Sequence, residues 1–256
     1  PAQKKESAYF HALNRNKKSM LLNLKTKEGK EIFHKLIDTY DILLEGFRPG
    51  VMDKLGIGYQ ELKRRNPRII FCSLSGYGQD GPYKERSGHD INYIGLGGIL
   101  ELTGPRDGHP IIPGTQIADI GGGGMMAAIA ILAAIVHREK TGAGQYLDIA
   151  MHDGVISWLS IHAGKYLLDK EVPKRGEMHL SGRYACYQVY STKDGRHMSL
   201  GALEPKFWMN FCEAIGRKDL IDKQFIEGEE RLQVIKEIQD LFKTKTQRDW
   251  VDFFKN

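Results

Sequence analysis

The sequence predicts an α/β protein with two parts. One part is a Rossmann-like large domain whose parallel sheet is flanked by helices, and the other is a smaller α+β domain. Two observations carry this prediction: helix-to-strand units repeat in the N-terminal half, and the pattern changes near residue 176 to strand-like alternation followed by charged helices. We therefore expect a large domain over residues 1–170 and a small domain over residues 171–256.

Two consecutive helix-to-strand units predict the parallel sheet. Residues 25–40 place apolar side chains at helical spacing, and residues 41–47 form a short apolar run bounded by turn residues. Residues 59–65 repeat the helix pattern, an Asn-Pro pair at 66–67 ends it, and residues 68–74 supply a second apolar strand. Strands that alternate with helices in this way pair in parallel, because the helix returns the chain to the same end of the sheet.

The middle of the chain predicts a helix from Ile91, a turn over residues 104–114 and a strand over residues 145–150. A long apolar helix is expected from about Asp119 to Lys140. Its uncharged run, residues 120–136, is about one bilayer span in length. Four consecutive glycines and charged flanking residues favour a buried core helix over a membrane span.

A hairpin signal marks the small domain. Residues 185–190 and 197–203 alternate as strands do, and they flank the turn sequence Lys193-Asp194-Gly195. The remaining residues read as charged helices.

Composition excludes several function classes. The 256 residues contain 37 Lys and Arg against 32 Asp and Glu, and no basic stripe interleaved with aromatic residues indicates nucleic-acid binding. The three cysteines form no CxxC pair, and the nine histidines show no HExxH spacing, so we expect neither a disulfide nor a metal site. The first seven residues contain no apolar signal region. We expect a cytoplasmic protein without a membrane or nucleic-acid partner.

Three polar positions could support chemistry on an acyl thioester. Its α-hydrogen is acidic, so an enzyme needs a base beside that carbon and donors for the enolate oxygen. His89 lies where a glycine-bearing loop enters a helix, Asp119 precedes the four glycines, and Glu204 follows a strand. We expect the glycines to let a ligand approach the helix backbone. Each residue taken alone also fits a structural role, such as a helix cap or a loop histidine.

The chain resembles the α-methylacyl-CoA racemase branch of the family III CoA-transferases. The resemblance is colinear over nearly the whole chain, and it rests on these segments: Leu13–Ser19, Leu22–Lys25, Gly46–Gly50, the Gly-His-Asp-Ile-Asn-Tyr string at 88–93, the Ala-Asp-Ile-Gly-Gly-Gly-Gly helix start at 118–124, His137–Gln145, and Gly-Ala-Leu-Glu-Pro-Lys-Phe at 201–207.

The resemblance implies a division of roles. His89 and Asp119 would be two bases on opposite faces of the α-carbon, with Glu204 supporting the histidine. No cofactor is implied beyond the coenzyme A of the substrate, and an interlocked homodimer is implied. Segments that line the coenzyme A site in relatives fall on Leu22, Asn23, Leu24, Lys25, Gly46, Phe47, Arg48, Lys54, Gly88, Asp90, Ile91, Asn92 and Tyr93. Relatives also have an N-terminal strand and a C-terminal crossing segment that lie outside this sequence.

Two alternatives stay open. Transferases of the family use an aspartate nucleophile in a Thr-Gly-x-x-Asp-Gly-x-Pro-like segment, and the string Thr103 to Pro110 places Asp107 at that position. The same string is also an ordinary turn. A non-catalytic coenzyme A-binding protein is the third possibility, and it would require the matched acid-base residues to be idle.

Overall fold

The computed structural model describes residues 7–255. Its strands are β1 (Ile42–Glu45), β2 (Ile70–Ser75), β3 (Tyr146–Ala150), β4 (Tyr187–Ser191) and β5 (His197–Gly201). Its α-helices are α1 (Ala8–Leu13), α2 (Lys27–Ile37), α3 (Val51–Lys54), α4 (Tyr59–Arg65), α5 (Asp90–Leu96), α6 (Ile99–Leu102), α7 (Met126–Thr141), α8 (Met151–Ser157), α9 (Ser160–Asp169), α10 (Pro205–Ala214), α11 (Gly228–Phe242) and α12 (Gln247–Phe253). A π-helix covers Ile117–Met125 and a 3₁₀-helix covers Lys218–Lys223.

The predicted helix-to-strand units form a three-stranded sheet with the order β1-β2-β3. β1 and β2 are parallel, with Ile42 opposite Ile70. The first four residues of β2 are buried, as expected for a central strand. The predicted α/β class and parallel sheet are therefore confirmed, with element ends within a few residues of the expected positions.

The chain divides into two compact units. One contains residues up to Glu85 together with Met125–Ile149, and the other contains Arg86–Gly124 and Ala150–Asn256. This division differs from the expected boundary between residues 170 and 171, because residues 86–124 and 150–170 group with the C-terminal part of the chain. The domain boundary at 170 stays a prediction.

A buried arginine ties α7 to the sheet of the first unit. Arg138 Nη1 donates to the carboxylate of Asp41 at 3.1 Å and to the backbone carbonyls of Asp41 at 3.3 Å and Arg68 at 3.5 Å. The Arg138 side chain is 8% exposed, whereas the carboxylate of Asp41 remains 71% exposed. We therefore expect Arg138 to stabilise the fold mainly through its hydrogen bonds to backbone carbonyls.

We expect Arg138→Met to lower the free energy of unfolding by about 0.5–1.5 kcal/mol, because it removes the donor to the Arg68 carbonyl and one of two donors to the Asp41 carbonyl, which also accepts from the Ile70 N–H at 3.1 Å. Arg64 is the matched control. Its ion pair with Glu61 lies on the surface, with the Arg64 side chain 76% exposed, so Arg64→Met should change stability by about 0.5 kcal/mol or less. Urea denaturation of both variants measures the difference. Equal losses would contradict the role given to Arg138.

The long apolar helix is present but is not a buried core helix within this chain. Ile117–Thr141 is continuous and long enough to cross a membrane. Its most apolar window of 18 residues has a mean hydropathy of 1.9, yet only 28% of that window is buried. Length and composition alone are weak support for a span. Exposed apolar side chains follow one face at helical spacing: Met125, Ile129, Leu132 and Val136.

The predicted hairpin is the sheet of the second unit. β4 and β5 pair antiparallel with Tyr187 opposite Gly201, and Gly195 in the turn has φ 73°, a left-handed conformation that glycine adopts freely. α10, α11 and α12 contribute Trp208, Phe242 and Trp250 to a core that also buries Tyr190. The Trp208 and Trp250 indole N–H groups donate to backbone carbonyls, so these large side chains are buried without an unsatisfied donor.

Candidate active site

The Gly-His-Asp motif is held by residues that follow it. The amide oxygen of Asn92 accepts from the His89 backbone N–H at 2.9 Å, and the Tyr93 hydroxyl donates to the Gly88 carbonyl at 2.8 Å. A Cβ on Gly88 would lie 2.7 Å from the Tyr93 ring, so only glycine fits there. His89 is exposed at the N-cap position of α5. Asn92 and Tyr93, predicted to line a coenzyme A site, therefore also fix the backbone that carries His89.

Asp90 connects the Gly-His-Asp motif to Asp119, the second predicted base. One carboxylate oxygen of Asp90 accepts from the backbone N–H groups of Ala118 at 2.6 Å and Asp119 at 3.0 Å. These two donors belong to the first turn of the π-helix, where N–H groups have no partner within the helix. His89, Asp90 and Asp119 thus form one cluster within the second unit, although the sequence separates them by about thirty residues.

The glycines after Asp119 serve helix packing. A Cβ on Gly121 would lie 2.4 Å from the Trp158 ring, and one on Gly122 would lie 2.6 Å from the Met151 carbonyl oxygen. A Cβ on Gly154 of α8 would likewise lie 2.2 Å from the Gly122 carbonyl oxygen. The expectation that these glycines open the helix to a ligand is wrong for Gly121 and Gly122, because both are buried against α8 and its C-terminal end.

Local electrostatics favour protonation of Asp119. Loss of hydration is the largest cause that raises the pKa of its carboxyl, and the negative charge of Asp90 raises it further, whereas His89 lowers it. Asp119 is nevertheless among the exposed residues, so neighbouring groups restrict its hydration without burying it. A carboxyl with a raised pKa beside an imidazole forms a pair of groups that can act as acid and base.

This raised pKa predicts a stability effect with a definite sign. The folded state binds a proton on Asp119 more readily than the unfolded state does, so stability falls as pH rises from about the ordinary pKa of 3.8 through the folded pKa. Asp119→Asn removes this loss. We therefore expect the variant to be more stable than the parent at neutral pH, with the difference vanishing at pH values below 3.8, as measured by urea midpoints across the range.

Asp107 provides a control, because the Asn substitution there should change stability in the opposite direction. A hydrogen bond from Arg106 holds the pKa of the Asp107 carboxyl below its ordinary value, so its stabilisation is present above the unfolded pKa and is lost as pH falls through the folded pKa. Asp107→Asn should therefore be less stable than the parent at neutral pH. Equal signs for the two variants would contradict the opposite environments of the two carboxylates.

The segment that carries Asp107 is the turn that the sequence also allowed. The Gly108 N–H donates to the Pro105 carbonyl at 3.2 Å, and the Arg106 guanidinium contacts the Asp107 carboxylate at 2.9 Å. Arg175 holds the turn from outside, with bonds to the carbonyls of Glu101, Pro105 and Gly108. The Asp107 side chain is 80% exposed. No hydrogen bond joins it to His89 or Asp119 in the part of the chain described.

Glu204 lies at the N-cap position of α10, and its carbonyl accepts from the Phe207 and Trp208 N–H groups. Its side chain is exposed and makes no cap hydrogen bond. Within residues 7–255, no hydrogen bond or ion pair joins Glu204 to His89. The structure of a single chain therefore does not bring this predicted supporting residue to the histidine.

The remaining predicted coenzyme A residues lie in the first unit. Residues 22–25 form a turn in which the Asn23 side chain accepts from the Lys25 N–H at 3.0 Å. This turn packs on the start of α2, where a Cβ on Gly29 would lie 2.0 Å from the Asn23 carbonyl oxygen. Leu22 and Leu24 are half-buried, and Asn23 and Lys25 are exposed.

Gly46, Phe47 and Arg48 follow β1 at the edge where the parallel strands end, the usual ligand side of such sheets. The Phe47 N–H donates to the Glu45 carboxylate at 2.7 Å. Arg48 lines a cavity of about 210 Å³ whose walls include the packed rings of Tyr59, Phe71 and Tyr146. Lys54, at the end of α3, is exposed.

Sequence reasoning missed two features of this region. Asp90 was expected to line a coenzyme A site, and nothing in the local sequence indicates its bonds to the backbone of residues 118 and 119. The hydrogen bonds from Arg175 to the turn around Asp107 likewise join segments about seventy residues apart. No group of three His, Cys, Asp or Glu side chains able to hold a metal occurs among the residues that the structure describes.

Comparison with known proteins agrees with the resemblance read from the motifs. A family model described as CoA-transferase family III matches residues 1–256. The chain belongs to this family. The crystal structure of a CaiB/BaiF family protein from Brucella suis superposes on the family III chain with a TM-score of 0.79 at 32% identity, covering 97% of this chain and 67% of that one.

Curated relatives of the family III chain have two different activities by name. The alpha-methylacyl-CoA racemase of Homo sapiens is 37% identical over 243 residues, which are 94% of this chain and 63% of the relative. The succinyl-CoA:glutarate CoA-transferase of Homo sapiens is 32% identical over 256 residues, which are 98% of this chain and 58% of the relative. The chain thus spans less than two thirds of the length of these relatives.

Proposed function

We propose that the protein is an acyl-CoA racemase that interconverts 2-methylacyl-CoA epimers by proton transfer through a thioester enolate. The observation that carries this proposal is the cluster of His89, Asp90 and Asp119. The imidazole of His89 and the carboxyl of Asp119, whose pKa is raised, lie at the N-termini of two helices that Asp90 connects. The backbone N–H groups and positive dipole ends of these helices suit a developing enolate oxygen.

The chemistry follows from two bases of different kind. One base takes the α-proton from one face, the thioester oxygen carries the resulting charge, and the other base returns a proton to the opposite face. His89 and Asp119 are our assignment for these bases. The reaction balances with no further cofactor, because the proton lost is replaced by a proton gained and no bond to coenzyme A is broken.

We further propose that the protein works as a cytoplasmic homodimer. Two observations support a second copy: the apolar face of the long helix that includes Ile129 and Leu132 is exposed, and Glu204 of the same chain makes no bond to His89. A second copy would cover apolar surface of that kind and could bring its own Glu204 to the histidine. Light scattering of the purified protein tests the dimer, and a monomer with full activity would contradict it.

The coenzyme A portion of the substrate would lie along residues 22–25 and 46–48, with Lys54 as a charge for a phosphate. Backbone turns and exposed cations at the ends of parallel strands support this placement. Isothermal titration with coenzyme A alone tests it. Lys54→Met should weaken binding without changing the free energy of unfolding by more than about 0.5 kcal/mol.

A family III CoA-transferase is the second candidate, supported by the similarity to the succinyl-CoA:glutarate CoA-transferase. In this chemistry a carboxylate of the enzyme attacks the acyl-CoA carbonyl and expels the CoA thiolate, leaving a mixed anhydride. The thiolate then attacks the enzyme's carbonyl of that anhydride, which releases the acyl group as a free carboxylate and leaves an enzyme thioester of coenzyme A. Asp107 is the nucleophile that the sequence motif predicts. Its exposure and its ion pair with Arg106 favour a turn residue over a nucleophile shielded from water.

One experiment separates the candidates. The protein is incubated in deuterated water with a single epimer of a 2-methylacyl-CoA, and the α-carbon is followed by proton NMR. Deuterium uptake with epimerisation supports the racemase. Absence of uptake, together with acyl-CoA-dependent labelling of Asp107 found by peptide mass spectrometry, supports the transferase. Labelling at Asp119 also supports transfer chemistry, through a different nucleophile. Binding with neither signal leaves a coenzyme A-binding protein.

A further inference from the structure

Asp90 caps a helix to which it does not belong. It is the first residue of α5, yet its carboxylate accepts the N–H groups of Ala118 and Asp119, 28 and 29 residues further along the chain. Unpaired N–H groups in a first turn are usually satisfied by the side chain of the residue just before the helix. Here that acceptor comes from another element, and its negative charge strengthens both bonds.

Asp90 is not needed to cap its own helix. The N-cap residue of α5 is His89, whose backbone N–H is taken by Asn92. The Asp90 carboxylate is therefore directed away from α5 and into the start of the π-helix. Because His89 and Asp90 are adjacent, a single side chain connects the backbone of one predicted base to the backbone of the other.

We propose that Asp90 is a positioning residue that fixes the Asp119 backbone relative to His89. This role replaces the expectation that Asp90 contacts coenzyme A, and its kinetic consequence rests on the proposed racemase function. Without the connection, the two bases would be related through the intervening chain and through α8, which packs on both α5 and the π-helix. A displacement of about 1 Å at a reacting group can reduce turnover by about 100-fold.

The same carboxylate also affects proton affinity at Asp119. Asp90 and His89 are the titratable groups that act on Asp119 from the elements packed around it, and the charge of Asp90 raises the pKa of Asp119 while His89 lowers it. Geometry and charge can be separated by substitution. Asp90→Asn keeps an oxygen that can accept from both N–H groups but removes the charge, whereas Asp90→Ala removes both.

The first test needs no enzymatic activity. Amide hydrogen exchange at Ala118 and Asp119 should accelerate in Asp90→Ala and stay near the parent rate in Asp90→Asn, because only the alanine variant lacks the acceptor. The Asp119 carboxyl, followed by carbon-13 NMR titration, should titrate at lower pH in Asp90→Asn than in the parent. The matched control is Asp194→Asn, since the Asp194 carboxylate likewise accepts a distant backbone N–H, that of Gln247 at 3.1 Å. Asp194→Asn should leave Asp119 unchanged.

The second test is kinetic. With a 2-methylacyl-CoA epimer in deuterated water, we expect kcat to fall about 10–100-fold in Asp90→Ala, while KM changes by less than about threefold. Asp90→Asn should recover most of this loss, and the acid limb of its pH profile should move to lower pH for the epimer that uses Asp119 as base. Asp194→Asn should behave as the parent.

Several results would overturn the proposal. A rise in KM with unchanged kcat in both Asp90 variants would make Asp90 a coenzyme A contact. Unchanged amide exchange in Asp90→Ala, or an unchanged Asp119 titration in Asp90→Asn, would remove the connection itself. If Asp90→Ala does not fold, the titration of Asp90→Asn decides. If the parent shows no α-proton exchange, the racemase proposal fails while the amide and carboxyl measurements still decide the role of Asp90.

Discussion

His89→Ala and Asp119→Ala should each reduce epimerisation of a 2-methylacyl-CoA by about 10²–10⁴-fold, the range that a positioned acid or base contributes. The reason is that proton removal and proton return need separate groups on opposite faces of the α-carbon. The His89–Asp119 cluster supplies one imidazole and one carboxyl for this purpose. Conversion of each epimer into the other gives the epimerisation rates, and loss of the α-proton signal in deuterated water gives the separate exchange rates.

The two substitutions should differ in one respect. A variant that keeps one base can still exchange the α-proton of the epimer that faces it, so washout without epimerisation is expected for one epimer in each variant. Asp107→Ala discriminates between the chemistries, and Asp240→Ala, which removes an exposed carboxylate paired with Lys236, controls for the loss of surface charge. If Asp107→Ala abolishes epimerisation and the His89 and Asp119 variants do not, the assignment of the bases is wrong.

The second large effect is expected at the four glycines. Gly122→Ala should lower the free energy of unfolding by about 1–3 kcal/mol or more, because its Cβ would meet the backbone of α8, which cannot rotate away as a side chain can. The distances are 2.6 Å to the Met151 carbonyl oxygen and 3.1 Å to the Val155 nitrogen. Relief of this overlap requires the π-helix and α8 to separate, and Asp119 lies three residues from the contact.

Gly124→Ala is the control within the same run of glycines. Its Cβ would lie no closer than 3.6 Å to another atom, the Asp119 carbonyl oxygen, so the change should be neutral or stabilise by up to about 1 kcal/mol. Denaturant unfolding of the two variants, together with their α-proton exchange rates, measures both effects. Equal stability for the two variants would contradict the packing role of Gly122.

Local sequence patterns predicted the elements of this fold well. α4 has the expected bounds, and the parallel strands β1 and β2 and the hairpin around Gly195 occur where alternation and turn residues indicated them. These features depend on neighbours within a few residues, which a single sequence displays directly. The motifs also placed His89 and Asp119 in one site, although only because the family resemblance connected two distant segments.

Features that depend on distant residues were not predictable in the same way. Three contacts join segments that are far apart in the sequence. They are the bonds from the Asp90 carboxylate to the π-helix, the contact between Gly122 and α8, and the bonds from Arg175 to the turn around Asp107. The exposure of the long helix is of the same kind, since burial depends on which surfaces meet and not on how apolar they are. Glu204 is the clearest example, because no hydrogen bond or ion pair joins it to its predicted partner His89 within residues 7–255 of one chain.

The bond from Asp90 to residues 118 and 119 has a consequence for how much this region can vary. One side chain joins the starts of the two helices directly, so their spacing does not depend on the connecting segment alone. Insertions or deletions at the exposed turn near Asp107 could then alter surface recognition or substrate access while the paired helix starts remain in register.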